Sequence, residues 1–266
     1  HRWVLYSYDV TINGKQVWDY TFQPETQVDV TTLCHEMFHA LGSPDLYHYD
    51  DGGLNISPVA DWDLMESGSG HMTAYMKWKY TNQAWISSIP EITTAGTYTL
   101  QPLTSSTNNC YKIPSPNSSS EFYIAEYRKA TGTFEGNLPG SGLIVYRIDP
   151  TVTGNADGPP DEVYIYRPNG TTTTNGSPNL AYYSSASGRT AINDGTNPSP
   201  ILQDGSAGGL NLYNVTSAGT TISFTVGMSN VQNPSAFTAT AVSTTQIDLS
   251  WQKNSSNNNV MLVYST

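Results

Sequence analysis

The chain has 266 residues, enough for two domains or one large one, and only 12% of them are charged, with Ser, Thr, Asn, Gly and Tyr in their place. Eleven Lys and Arg stand against 22 Asp and Glu, a net charge of −11 that repels phosphate backbones and argues against nucleic acid as a partner. No apolar run of about 18 residues occurs, so no membrane span is expected.

Residues 2–22 read as a hairpin. Val4, Tyr6, Tyr8, Val10 and Ile12 alternate, Asn13-Gly14 suits a type I′ turn, and Val17, Trp18 and Tyr20 return. Residues 29–41 read as a helix. Val30, Leu33, Cys34, Met37, Phe38 and Leu41 form one apolar face, Asp29 is a natural N-cap, and Gly42 followed by Pro44 ends the element. That face is expected to hold the helix on a sheet that lies mostly outside this chain. Cys34 lies on it, and a buried free thiol is the simpler expectation than a bridge to Cys110, which sequence alone leaves open.

His35, Glu36 and His39 lie off the apolar face, in the pattern His-Glu-x-x-His. Histidines four apart on a helix lie one turn apart on one face and can converge on one Zn²⁺. Glu36, beside the first of them, reaches a water at the metal rather than the metal and suits a general base. Gly42 permits a sharp turn that brings Asp45 to the third ligand position; Glu66 is the substitute. His48 and His71 are expected at the surface, with oxyanion donation as the alternative. Tyr47 and Tyr75 are expected to pack rather than act as donors.

No Lys or Arg lies between Lys15 and Lys77, a span carrying ten Asp and Glu from Asp19 to Glu66. It reads either as a solvated surface or as a region that holds cations, and it hints at cationic substrate residues. Asp50, Asp51, Asn55, Asp61 and Asp63 offer loop oxygens of the kind Ca²⁺ takes, without EF-hand spacing.

Residues 43–70 read as loop and 71–80 as a second helix weakened by Lys79 on its apolar face. Beyond Ile89 short strands are expected at 97–100, 110–113, 121–127, 142–148, 162–166 and 221–226, most simply a sandwich, with long loops over 168–210 and a solvated acidic loop at Asp157, Asp161 and Glu162. Past a boundary near 230–234, three further strands are expected at 237–242, 246–251 and 260–264. The strand ending Leu249-Ser250-Trp251 resembles the opening of a fibronectin type III domain.

The extended motif His35-Glu36-x-x-His39-x-x-Gly42-x-x-Asp45, followed by Leu46-Tyr47, resembles the immune inhibitor A family of secreted bacterial metallopeptidases, which are metzincin-like zincins. Asp61-Trp62-Asp63-Leu64-Met65-Glu66-Ser67-Gly68 resembles that family's downstream segment, and the resemblance makes Met65 the methionine of the turn beneath the metal. It extends more weakly through 122–128 and 140–146. It implies a secreted or extracellular zinc endopeptidase acting on protein or peptide substrates, with His35, His39 and Asp45 as ligands and Glu36 as base. The implied fold is α+β: residues 1–88 as the C-terminal part of a zincin-like catalytic domain, 89–230 as a β-sandwich accessory domain, and 231–266 as an incomplete fibronectin-like module. Typical metzincins carry a third His at the place of Asp45 and a larger sheet before the motif helix, so the chain is expected to begin inside that domain; no signal peptide is visible. The rival readings are a non-catalytic cell-surface adhesion or binding module with a structural or vestigial metal site, and a zinc hydrolase of a non-peptide amide.

Overall fold

A computed structural model describes residues 2–4, 11–17, 19–21, 23–228 and 235–253. The fold is α+β, with few helices and several antiparallel sheets, and it divides into two compact units, 1–228 and 229–266.

In the first unit, β1 (Arg2–Val4) pairs antiparallel with β4 (Asp19–Thr21), and between them β2 (Thr11–Ile12) pairs with β3 (Lys15–Gln16). Asn13 and Gly14 both take positive φ, 51° and 74°, as the type I′ turn requires. The expected strand residues Tyr6, Tyr8 and Val10, with Trp18, lie outside the described residues. Helix α1 (Val30–Ala40) follows.

Helix α2 (Ala74–Tyr80) begins three residues later than the sequence suggests. The cause is tertiary: the N–H of His71 donates to Glu135 Oε1 at 2.9 Å, that of Thr73 to Asp63 Oδ2 and that of Ala74 to Glu126 Oε2, both at 2.7 Å. Carboxylates from elsewhere thus satisfy donors that a helix start leaves without partners and draw 71–73 out of the helix.

The remaining strands build two antiparallel sheets. β5 (Gly96–Leu100), β10 (Leu212–Tyr213) and β11 (Ile222–Val226) form one, in the order β10-β11-β5. β6 (Cys110–Pro114), β7 (Phe122–Arg128), β8 (Gly142–Ile148) and β9 (Val163–Ile165) form the other, in chain order. Period-2 alternation sends Tyr123, Ala125, Tyr127, Leu143 and Val145 into a core shared with Leu100, Ile222 and Phe224 of the smaller sheet. The opposite face sends Ile124, Ile144, Tyr146 and Ile165 into a core with Leu46, Trp62, Met65 and Met76. All seven residues of β8 are buried, so the larger sheet is covered on both faces. A short helix, α3 (Gly132–Glu135), lies between β7 and β8.

In the second unit, β12 (Ser235–Ala241) pairs with β13 (Ile247–Gln252) across a register shift. The strand expected at 260–264 lies outside the described residues. Among the described residues no helix is long and apolar enough to cross a membrane.

Candidate metal centre

Helix α1 carries the motif, and both of its ends are locally specified. Asp29 Oδ1 accepts from the Thr32 N–H at 2.9 Å. At the other end, Gly42 at φ 95° donates to the His39 carbonyl at 2.9 Å and Ser43 donates to the Phe38 carbonyl at 3.1 Å, a Schellman closure. The reversed chain then brings Asp45 back over the helix.

His35 Nε2 lies 3.0 Å and His39 Nε2 3.2 Å from Asp45 Oδ1. The two imidazoles stand edge to face, centroids 4.9 Å apart. Each is oriented by its other nitrogen: His35 Nδ1 bonds the Leu64 carbonyl at 2.8 Å, and His39 Nδ1 the Ser43 carbonyl at 2.7 Å. A carbonyl only accepts, so each Nδ1 carries a proton, and in the neutral ring this leaves the Nε2 lone pair facing the carboxylate. Asp45 Oδ1 is buried, and neither imidazole meets it in hydrogen-bond geometry. Three ligand atoms within 4.8 Å of one another, each steered from behind, suit a divalent metal ion.

The electrostatics agree. Burial opposes charge on Asp45, but the close approach of the His35 and His39 imidazoles and of the Tyr49 hydroxyl outweighs it and holds the carboxyl well below the usual range. Burial likewise opposes the His35 imidazolium, and Asp45 with the Leu64 carbonyl still raises its pKa. The site favours a cation among these groups, whether proton or metal. Glu36 is buried beside His35, and its charge reaches both His35 and Tyr47.

Beneath the helix, 63–68 turns tightly. The N–H groups of Glu66 and Gly68 donate to the Asp63 carbonyl. A Cβ on Gly68 would lie 2.7 Å from that oxygen, so only glycine fits. Buried Asp63 takes the Met65 N–H at 2.8 Å. Met65, fully buried, accepts from the Leu46 N–H at 2.8 Å, and Leu64 accepts from His35; the turn therefore touches both the helix and the Asp45 loop.

A second support comes from the β8–β9 connection. Asn155 donates its backbone N–H to the Asp45 carbonyl at 2.9 Å and its amide to the Leu46 carbonyl at 3.0 Å. The Tyr49 N–H donates to the Ala156 carbonyl at 2.9 Å. Gly154 sits so close to Pro44 that a Cβ there would lie 2.5 Å from the proline Cβ. His48 Nε2 pairs with Asp161 Oδ1 at 2.5 Å, and Glu162 takes Lys79 Nζ, the Tyr80 hydroxyl and the Gly154 N–H.

Several expectations are corrected by this arrangement. The acidic loop is solvated at Asp157 but not at Asp161 and Glu162, which are buried because they bind His48, Lys79 and Tyr80. Lys79 does not weaken α2, since its ammonium leaves the apolar face to reach Glu162. Neither His48 nor His71 is a surface residue: His48 sits between Asp161 and Asp51, and the half-buried His71 Nδ1 accepts from Lys77 Nζ at 2.8 Å. Tyr75 packs against Trp78 and Phe122, as expected. The apolar face of α1 is largely open, in keeping with a sheet that lies mostly outside this chain: Val30, Leu33, Met37 and Leu41 are exposed, and Cys34 and Phe38 pack on the core. Both cysteines are free thiols.

Glu66 lies elsewhere, accepting from the Ser57 hydroxyl and the Val59 and Ala60 N–H groups. Among the described residues the carboxylates suggested for Ca²⁺ form no group of three: Asp50 and Asp51 cap loop N–H groups and Asp63 holds the Met65 turn. Among the described residues, His35, His39 and Asp45 alone form a group of three metal-ligating side chains. Tyr49, whose hydroxyl donates to Asp45 Oδ2 at 2.5 Å, was not singled out by sequence reading. Its signal, a tyrosine four residues past a candidate ligand in a loop, is too common to stand out.

Beside the centre a cavity of about 530 Å³ opens between α1 and the segment after Met65. Cys34, Phe38, Leu64, His71, Lys77 and Trp85 are among the residues lining it.

Neither the curated proteins nor the solved structures hold a match to the chain. Residues 7–86, the stretch that carries α1, Asp45 and the Met65 turn, match in part the family model described as immune inhibitor A peptidase M6, catalytic domain, and this segment thereby resembles the catalytic domain of a metallopeptidase family.

Proposed function

We propose that the protein is a secreted zinc-dependent endopeptidase in which His35, His39 and Asp45 hold the metal and Glu36 is the general base. One observation carries this reading above the others: the convergence of His35 Nε2, His39 Nε2 and Asp45 Oδ1, with the carboxylate oxygen buried outside hydrogen-bond geometry. Two imidazoles and a carboxylate are a common zinc donor set. A bound zinc ion would polarise the scissile carbonyl and acidify the attacking water. Glu36, one residue along the helix from His35, takes the proton of that water and returns it to the leaving amine. The Leu64 and Ser43 carbonyls keep the two rings in the tautomer that leaves Nε2 unprotonated.

In this reading residues 1–88 are the C-terminal part of a zincin-like catalytic domain and 89–230 a β domain. The β domain is more than an appendage, because Asn155 and Ala156 hold the Asp45 loop by three hydrogen bonds. Residues 231–266 are read as the opening of a fibronectin type III-like module.

Peptide hydrolysis by the full-length protein is expected to stop when a zinc chelator is added and to return with stoichiometric zinc. Hydrolysis indifferent to chelation would overturn the assignment. The Tyr49 hydroxyl should matter to the same centre, because it fixes the rotation of Asp45. Tyr49→Phe is expected to weaken zinc binding by roughly 10–100-fold, measured by competition with a fluorescent chelator, with the thermal midpoint of the metal-free protein unchanged. Equal zinc affinity in the two proteins would show that the hydroxyl does not orient the ligand.

A further inference from the structure

We propose that the cavity beside α1 receives a substrate side chain next to the scissile bond, and that Lys77 makes it select a long side chain ending in a carboxylate and reject lysine and arginine. The inference rests on the peptidase reading above and assigns the substrate class to it.

Position comes first. Thr31 lines the cavity and precedes His35 by four residues, so it lies one turn away on the same helix face. Leu64 lines it too, and the Leu64 carbonyl orients His35. A chain crossing the metal centre therefore passes the cavity mouth within a side chain's reach. A volume of about 530 Å³ is ample for the largest side chains, and Phe38, Met72, Ile86, Leu103 and Phe134 give it apolar walls.

Charge then decides the occupant. No Asp or Glu lines the cavity among the described residues, whereas Lys77 does. An ammonium has three donors, and the hydrogen bond to His71 Nδ1 uses one of them. Burial, with the Arg128 charge behind it, pushes the Lys77 pKa down to about 8, so the ammonium is protonated at neutral pH; Glu126, Glu135 and Asp63 act in the opposite sense. Burial and the neighbouring Lys77 push His71 down to about 4, so it is a neutral acceptor there. A carboxylate entering the cavity meets the Lys77 ammonium, whereas an ammonium or guanidinium is repelled by it and finds no carboxylate among the described lining residues. This reverses the cationic preference hinted at by the acidic span, because Asp45, Asp51, Asp63 and Glu66 are already bound to groups of the fold.

Cys34 supplies a readout that does not depend on catalysis. It lines the cavity, while Cys110 is 1% exposed with its thiol pushed up to about 12 by burial, so Cys34 is the thiol that alkylates. In the full-length Glu36→Ala protein loaded with zinc, the rate of iodoacetamide labelling is measured against alanine peptides bearing a single Glu, Gln, Leu or Lys. The Glu peptide is expected to protect at roughly tenfold lower concentration than the Gln or Lys peptide. Lys77→Met should erase that ratio, and Ser106→Glu, at an exposed lining position, should shift it towards Lys without touching the buried cluster. Equal protection by Glu, Gln and Lys peptides, or a ratio unchanged in both variants, would overturn the proposal. Selective protection in a protein that cleaves no peptide would keep the cavity's selectivity and remove the peptidase reading. Cleavage of peptides that never protect Cys34 would do the reverse.

Discussion

Replacing Glu36 with alanine is expected to lower kcat by roughly 10²–10⁴-fold while the protein keeps its zinc. Glu36 is 7% exposed and lies beside His35, yet it stands outside the group formed by His35, His39 and Asp45. A residue next to the ligands but not among them can lose its carboxylate without emptying the centre. Glu36→Asp, which withdraws the carboxylate by one methylene, should recover little, since proton transfer needs hydrogen-bond reach. Turnover of a fluorogenic peptide and zinc per chain, measured on the same preparation, check this. Zinc lost together with activity would make Glu36 a ligand, and activity within a factor of two of the parent would remove it from the chemistry.

Arg128→Met is expected to destabilise the fold by about 3–5 kcal/mol. Arg128 is fully buried on β7. Its Nε and Nη2 grip Glu135 at 2.8 Å each, its Nη1 reaches the Trp62 carbonyl at 2.6 Å and Glu126 at 3.3 Å, and Nη2 also takes the His71 carbonyl at 3.2 Å. Removing the guanidinium strands Glu126 and Glu135 without their cation and leaves the buried Trp62 carbonyl and the part-buried His71 carbonyl short of a donor. The Arg128 charge holds Glu135 below the usual carboxylate range against the opposing effect of burial. For a unit of this size the thermal midpoint should fall by about 10 °C. Because Trp62 and His71 flank the Met65 turn, zinc affinity should fall with it. The double variant Arg128→Met with Glu135→Met should recover part of the loss, since a paired charge replaced by apolar side chains is tolerated better than a broken pair. A midpoint within two or three degrees of the parent would show that the cluster does not support the fold.

What the sequence made legible was local. Helix α1 was expected over 29–41 and runs Val30–Ala40, because Asp29 and Gly42 act within a few residues of themselves. The strands of both sheets other than β10, which was not expected, fell close to their expected places for the same reason: alternation and turn residues are read from neighbours. The motif also announced His35 and His39, since helical spacing alone brings them to one face. Apolar periodicity marked the face of α1 that is largely open, but it could not show the carbonyls of Leu64 and Ser43 that orient the histidines. The burial of Glu162 in the acidic loop was not legible because its partners lie about eighty residues away on α2. Asn155 was invisible for a like reason: its amide bonds Leu46, 109 residues earlier. Contacts of that range come from the sheet's topology, which no short pattern encodes.

The central claim is that two imidazoles and one aspartate hold a single zinc ion. X-ray absorption at the zinc edge, on the full-length protein and its Asp45→Ala and Glu66→Gln variants, tests it most directly. The account predicts two imidazole ligands with oxygen donors in the parent, the same spectrum in Glu66→Gln, and an altered or metal-free centre in Asp45→Ala. A spectrum unchanged by Asp45→Ala, or one changed by Glu66→Gln instead, would contradict it.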